Sequence, residues 1–170
     1  PWTASNRVTC WGPCTGGSYY GPCGGEDHCE AGISSQALWD MIRGDRTAPE
    51  PDGDFFTLCG LDLASGWQLN DMLFWTSHAQ LGNMYNCTSW ATNGCGGNTL
   101  YELFMAIDDD GDGTANGTPH AAGIFAALYR HEIACGTAAD PENQNHTSPA
   151  CPSLTQVINI VPLALSNRVD

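Results

Sequence analysis

Nine cysteines in a chain of 170 residues constrain this fold more than any other feature. They stand at Cys10, Cys14, Cys23, Cys29, Cys59, Cys87, Cys95, Cys135 and Cys151, mostly in stretches rich in glycine, proline and threonine. Cytosolic thiols are kept reduced, so this usage points to disulfides closed in an oxidising compartment, and hence to a secreted, extracellular protein. Nearness in sequence predicts the staples Cys87–Cys95 and Cys135–Cys151, with Cys10, Cys14, Cys23 and Cys29 pairing among themselves. The odd count leaves Cys59 free or linked to another chain. Cys10, Cys14, Cys23, His28 and Cys29 can also be read as a zinc cluster, but their spacings match no zinc-ribbon pattern and export favours disulfides. The chain carries no signal peptide and opens with Pro1 rather than Met, as expected of a processed or partial chain exported within something longer.

Charge narrows the partners. Five arginines and no lysine face nineteen acids, for a net charge of −14. Such a surface repels phosphate backbones and anionic lipid, which argues against nucleic-acid and membrane partners and suits calcium. A hydrophobic share of 42% is too high for a disordered chain, and no apolar run approaches a membrane span.

The apolar periodicity predicts a mainly α fold: a lobe of four to five helices, long disulfide-stapled loops and little strand. Residues 1–30 read as an irregular, disulfide-rich lead-in, 31–151 as the helical lobe, and 152–170 as a linker or the start of a following β domain. Ile33, Ala37, Leu38 and Met41 stripe a helix from Ala31 to Arg43, stopped by Gly44. Residues 45–64 read as an acidic loop. A second helix from Ser65 to about His78 carries Leu69, Met72, Leu73 and Thr76, and Trp67, Phe74 and Trp75 widen its stripe as in a buried helix. Thr99 and Glu102 form a capping box ahead of Leu100, Leu103, Phe104 and Ile107. Thr118-Pro119 opens a last helix with Thr at the cap, striped by Ile124, Ala127, Leu128 and His131 and ended by Gly136.

The stretch Gly25-Glu26-Asp27-His28-Cys29-Glu30-Ala31-Gly32-Ile33-Ser34-Ser35-Gln36-Ala37-Leu38-Trp39 carries the clearest chemistry. A histidine at the mouth of an apolar helix can aim its imidazole off the helix end and donate a hydrogen bond to a developing oxyanion. The pattern His-x-x-x-Gly-Ile-x-x-x-Ala-x-aromatic resembles the C-terminal-lobe motif of thermolysin-like (gluzincin) zinc metallopeptidases. Secreted bacterial members of that kind are also similar at Ala37-Leu38-Trp39-Asp40, at Asn116 to His120 and at Arg130 to Ala138, so the resemblance covers about residues 20–151. It implies that His28 stabilises the tetrahedral transition state.

Gluzincins bind zinc through His-Glu-x-x-His and a downstream Glu. The only His-Glu here is His131-Glu132, and Ile133-Ala134-Cys135 follows it. The resemblance therefore implies that zinc and its ligands belong to an N-terminal lobe ahead of Pro1, and that this chain alone cleaves nothing. The family's orienting Asp, five residues before the histidine, is Cys23 here, which leaves that role to Asp27 or Glu26.

A second constellation runs from Asp108 to Asn116. Asp108, Asp110 and Asp112 take positions 1, 3 and 5 of a calcium loop, with Gly113 at 6 and Asn116 at 9. A carbonyl near Thr114 would complete the set, but Pro119 stands where the bidentate Glu belongs. Crowded carboxylates repel unless a cation joins them, which favours a partial calcium loop over a solvated acidic turn. The expected function is the C-terminal lobe of a secreted zinc metalloendopeptidase acting on a peptide or protein substrate. The alternative is a non-catalytic, calcium-binding structural or adhesive module derived from the same fold.

Overall fold

Helix α1 (Asp27–Ile42) begins ahead of the expected Ala31, so position 28 lies in its first turn rather than before it. The structure, a computed structural model, describes residues 27–44, 53–86, 92–109 and 118–136, with 27–30 described by backbone alone. The rest of the chain follows as α2 (Asp54–Cys59), α3 (Leu63–Ser77), α4 (Leu100–Asp108) and α5 (Ala121–Arg130). The fold is mainly α, and the described residues contain no strand. None of the described helices is long and apolar enough to cross a membrane.

The apolar stripes explain the packing. Helix α1 is central, touching α2, α3 and α5, while α4 lies on α3 and α5. Ile33, Ala37 and Met41, one helical turn apart, are fully buried. They meet Leu69 and Leu73 from α3, Leu100 and Phe104 from α4, and Ile124 and Leu128 from α5 in one core. Helix α5 approaches α2 so closely that a Cβ on Gly123 would sit 2.7 Å from Phe55 Cδ1.

Helix ends follow local chemistry. The Thr99 hydroxyl accepts from the Glu102 N–H, as the capping box predicts, while the Thr99 N–H goes to the Gly96 carbonyl. Helix α3 starts at Leu63 rather than Ser65 because Asp62 caps it, accepting from Ser65 N–H at 2.7 Å. Thr118 does not cap α5. Its hydroxyl donates to the Met105 carbonyl instead, and His120 stands at the N-cap. Beyond α5, Glu132 adopts φ 62°, which turns Ile133 back onto the core.

The fold overturns four expectations. The stretch 45–64 contains a short helix, α2, bounded by Gly53 and by Gly60 at φ 68°, where a left-handed cap suits glycine. In α3, Thr76 is exposed and Ser77 takes the buried position, and Trp67 and Trp75 are 40% and 69% exposed rather than part of a buried flank. Cys95 pairs with Cys135, across 40 residues, which rules out both the Cys87–Cys95 and the Cys135–Cys151 staples. The nearer partners lose because Cys95 lies against the turn after α5: Gly94 N–H donates to the Ala134 carbonyl and Asn93 Nδ2 to the Glu132 carbonyl. Cys59 is itself disulfide-bonded, not free, and its partner lies outside the described residues. Cys10, Cys14, Cys23, Cys87, Cys151 and the segment 152–170 also lie outside them, as does the Cys29 side chain.

Candidate functional site

Helix α1 carries the candidate catalytic histidine at one end, and its second half, from Ser35 to Ile42, lines a groove. Glycine at position 32 and alanine at 31 keep the first turns slim, and Ser35 and Trp39 are the exposed positions further on. At 100° per residue, positions 28, 35, 39 and 42 fall on one stripe. His28 and Ser35 are two turns apart on that face, about 10 Å along the axis. Asp27 opens the helix, and the side chains of Asp27 and His28 lie outside what is described.

The groove runs between α1 and α3 and encloses about 310 Å3. Leu38, Ile42 and Phe74 give it an apolar base, with Trp39, Trp67 and Trp75 at its walls. Trp39 and Trp67 stand nearly perpendicular, at 79° with ring centres 6.4 Å apart. Ser35, Asn70 and Asp71 are its polar members. Trp67 and Trp75, expected on a buried flank of α3, line the groove instead.

Behind the groove, a buried polar cluster ties the helices together. Arg130, the last residue of α5, donates from one guanidinium nitrogen to Asp40 Oδ2 at 2.8 Å and from the other to both oxygens of Asp54, at 2.7 and 2.9 Å. His131 Nε2 adds a 3.1 Å hydrogen bond to Asp40 Oδ2. Burial opposes the charge on Asp40, yet the hydrogen bonds from His131 and Arg130 outweigh it and hold its pKa below the ordinary value. The same contest runs in reverse at Arg130: burial disfavours the cation, and Asp54 and then Asp40 restore it, so its pKa rises. His131, expected on the apolar stripe, is buried, and no group suited to a metal ion surrounds it among the described residues.

Asp108 is likewise spent inside the fold. Its Oδ2 accepts from the His120 backbone N–H at 2.6 Å and its Oδ1 from His120 Nδ1 at 2.7 Å, so one carboxylate joins the end of α4 to the start of α5. The side chain is buried, so the first residue of the expected calcium loop also ties α4 to α5. Asp110, Asp112, Thr114 and Asn116 lie outside the described residues, and no cluster suited to a metal ion occurs among those described. Asn86, which heads an N-x-Thr sequon, uses its Nδ2 to donate to the Cys95 carbonyl at 2.6 Å.

Against known proteins, no family model, no curated protein and no solved structure matches the chain.

Proposed function

We propose that this chain is the helical C-terminal lobe of a secreted thermolysin-like zinc metalloendopeptidase, with His28 as the group that stabilises the oxyanion. The placement of position 28 in the first turn of α1 carries this reading. Position 28 is a first-turn residue, and Ile33, Ala37 and Met41 hold its helix rigidly in the core. Zinc, held by another part of the protein, would supply the water-activating and carbonyl-polarising chemistry.

The work of this chain is electrostatic. As negative charge develops on the scissile carbonyl oxygen, an imidazole N–H from His28 donates to it more strongly than to the ground-state carbonyl. Asp27 is the nearby carboxylate that can orient the ring. The tie from Arg130 to Asp40 and Asp54 acts through α1, fixing the helix on which the histidine sits. A calcium clip in the turn at 110–116 forms part of the same proposal.

The test is kinetic. In the complete peptidase, His28→Ala should lower kcat by about 100- to 1,000-fold, the scale of one oxyanion donor. KM should change far less, because the interaction is made in the transition state. An unchanged kcat ends the assignment. A polypeptide bearing His-Glu-x-x-His that co-purifies with native material, or belongs to the same precursor, is the companion observation.

A further inference from the structure

We infer that the tryptophan groove between α1 and α3 is a docking site for a basic side chain, arginine or lysine, presented by a partner polypeptide. The inference stands on the groove alone and does not depend on the peptidase reading.

Every tryptophan among the described residues lines this one groove, and all are exposed: Trp39 by 37%, Trp67 by 40% and Trp75 by 69%. A folded chain leaves single apolar residues in water freely, but three of its largest side chains on one concave face mark an interaction surface. The near-perpendicular setting of Trp39 and Trp67 forms two walls of a corner rather than one flat platform. The indole faces that this edge-to-face pair leaves open to the groove are electron-rich, which suits a cation laid against them.

The polar lining has the same sign. Asp71 is an exposed carboxylate at the groove. Asn70 is 6% exposed, and its Oδ1 is a buried acceptor with no hydrogen-bond partner among the described residues. A buried acceptor without a donor is costly, and an incoming N–H removes that cost. Ser35 already gives its proton to the Gly32 carbonyl at 3.3 Å, which leaves its lone pairs to accept. No lysine or arginine lines the groove. It therefore offers π faces and acceptors and asks for donors and positive charge. A guanidinium brings both, stacking on indole while its N–H groups reach Asn70 and Asp71. The net charge of −14 steers such a partner in and repels an acidic one. Neutral sugars find acceptors here too, but they stack best along a flat aromatic face, which the 79° corner does not present.

The experiment titrates the full chain with a capped pentapeptide Gly-Arg-Gly-Arg-Gly, following tryptophan emission and heat of binding. Matched peptides replace arginine with lysine, with citrulline (the same shape without the charge) or with glutamate, and a neutral oligosaccharide completes the set. The arginine peptide should bind, lysine should follow, and citrulline should be weaker by about tenfold or more, as loss of a cation–π contact requires. Asp71→Asn and Trp67→Leu should each weaken the arginine peptide by roughly tenfold. Trp67→Leu keeps apolar bulk, so an unchanged affinity there would mean general attraction to an acidic surface and overturn the proposal. Equal binding of citrulline or of the oligosaccharide overturns it too, as does no binding of the arginine peptide at millimolar concentration. Asp71 is exposed, so its variant should fold and keep the test decisive even if Trp67→Leu does not.

Discussion

Arg130 and Asp40 lie 90 positions apart in the chain and meet at 2.8 Å, the guanidinium of α5 closing on a carboxylate in the last turn of α1. The same guanidinium reaches Asp54 at the start of α2, so one cation holds three helices. The Asp40 side chain is 1% exposed and that of Arg130 is 25% exposed, which makes the pair largely dry. A carboxylate in such a place is tolerable only while its partner stays.

Replacing Arg130 with methionine should therefore destabilise the fold by about 2–4 kcal/mol, the cost of breaking a buried pair reduced for its exposed edge. Arg130→Lys should recover only part of this, since an ammonium cannot fork to two carboxylates. Urea unfolding of the two variants provides the comparison. A methionine variant within about 0.5 kcal/mol of the parent, the range of ordinary surface substitutions, would show that the pair is not a stabilising tie.

Asp40 also predicts a pH dependence. Its folded pKa lies below the ordinary 3.8, so its contribution is present in full above that value and is lost as pH falls through the folded pKa. Stability should hold level with respect to this group down to about pH 4 and decline below it. Asp40→Asn should start less stable at neutral pH and lose less on acidification. If both proteins fall equally steeply in urea midpoint below about pH 4, the acid sensitivity belongs to other carboxylates.

Much of the helical frame is legible in local sequence, because periodicity and caps are local. Thr99 and Glu102 announce α4, and Ile33, Ala37 and Met41 announce the buried face of α1. What is not legible depends on distance or competition. Helix α2 hides between Gly53 and Gly60 because its six residues are too few to show a period, and burial of Phe55 under α5 decides it. Trp67 and Trp75 follow helical spacing as well as Leu69 does, and only the finished packing reveals which flank of α3 is left outside. The tie from Asp108 to His120 does not show in the sequence, because His120 returns to it only after the turn. The corner of Trp39 and Trp67, and the convergence of Asp40, Asp54 and Arg130, have no local signal at all.

The Cys95–Cys135 disulfide closes a segment of 40 residues that contains α4 and α5. On loop-closure grounds, replacing both cysteines by serine should cost about 2–4 kcal/mol. Hydrogen bonds from Asn93 and Gly94 to the turn after α5 survive the change, so the variant should still fold cooperatively with a lower melting temperature. Non-reducing peptide mapping of the parent should recover residues around 95 linked to those around 135. A linked pair from Cys87 and Cys95 would contradict the fold described.

Asp108 holds His120 through both of its oxygens, and Asp110 and Asp112, with Asn116 and a carbonyl near Thr114, are the other ligands expected of the calcium turn. Losing Asp108 leaves the His120 N–H and ring without their acceptor, and Asp108→Ala should cost about 1.5–3 kcal/mol whether or not calcium is present. Asp110→Ala should behave differently. A cation that binds the folded turn and not the open chain raises stability with the logarithm of its free concentration. The parent should therefore melt higher in about 5 mM calcium than in chelator, a concentration suited to a weak extracellular site without the bidentate Glu. Asp110→Ala should erase that difference and leave melting in chelator nearly unchanged. Asp108→Ala should lower both curves. If the parent melts at the same temperature in calcium and in chelator, the turn binds no calcium at these concentrations, and its acids are simply hydrated charges between α4 and α5.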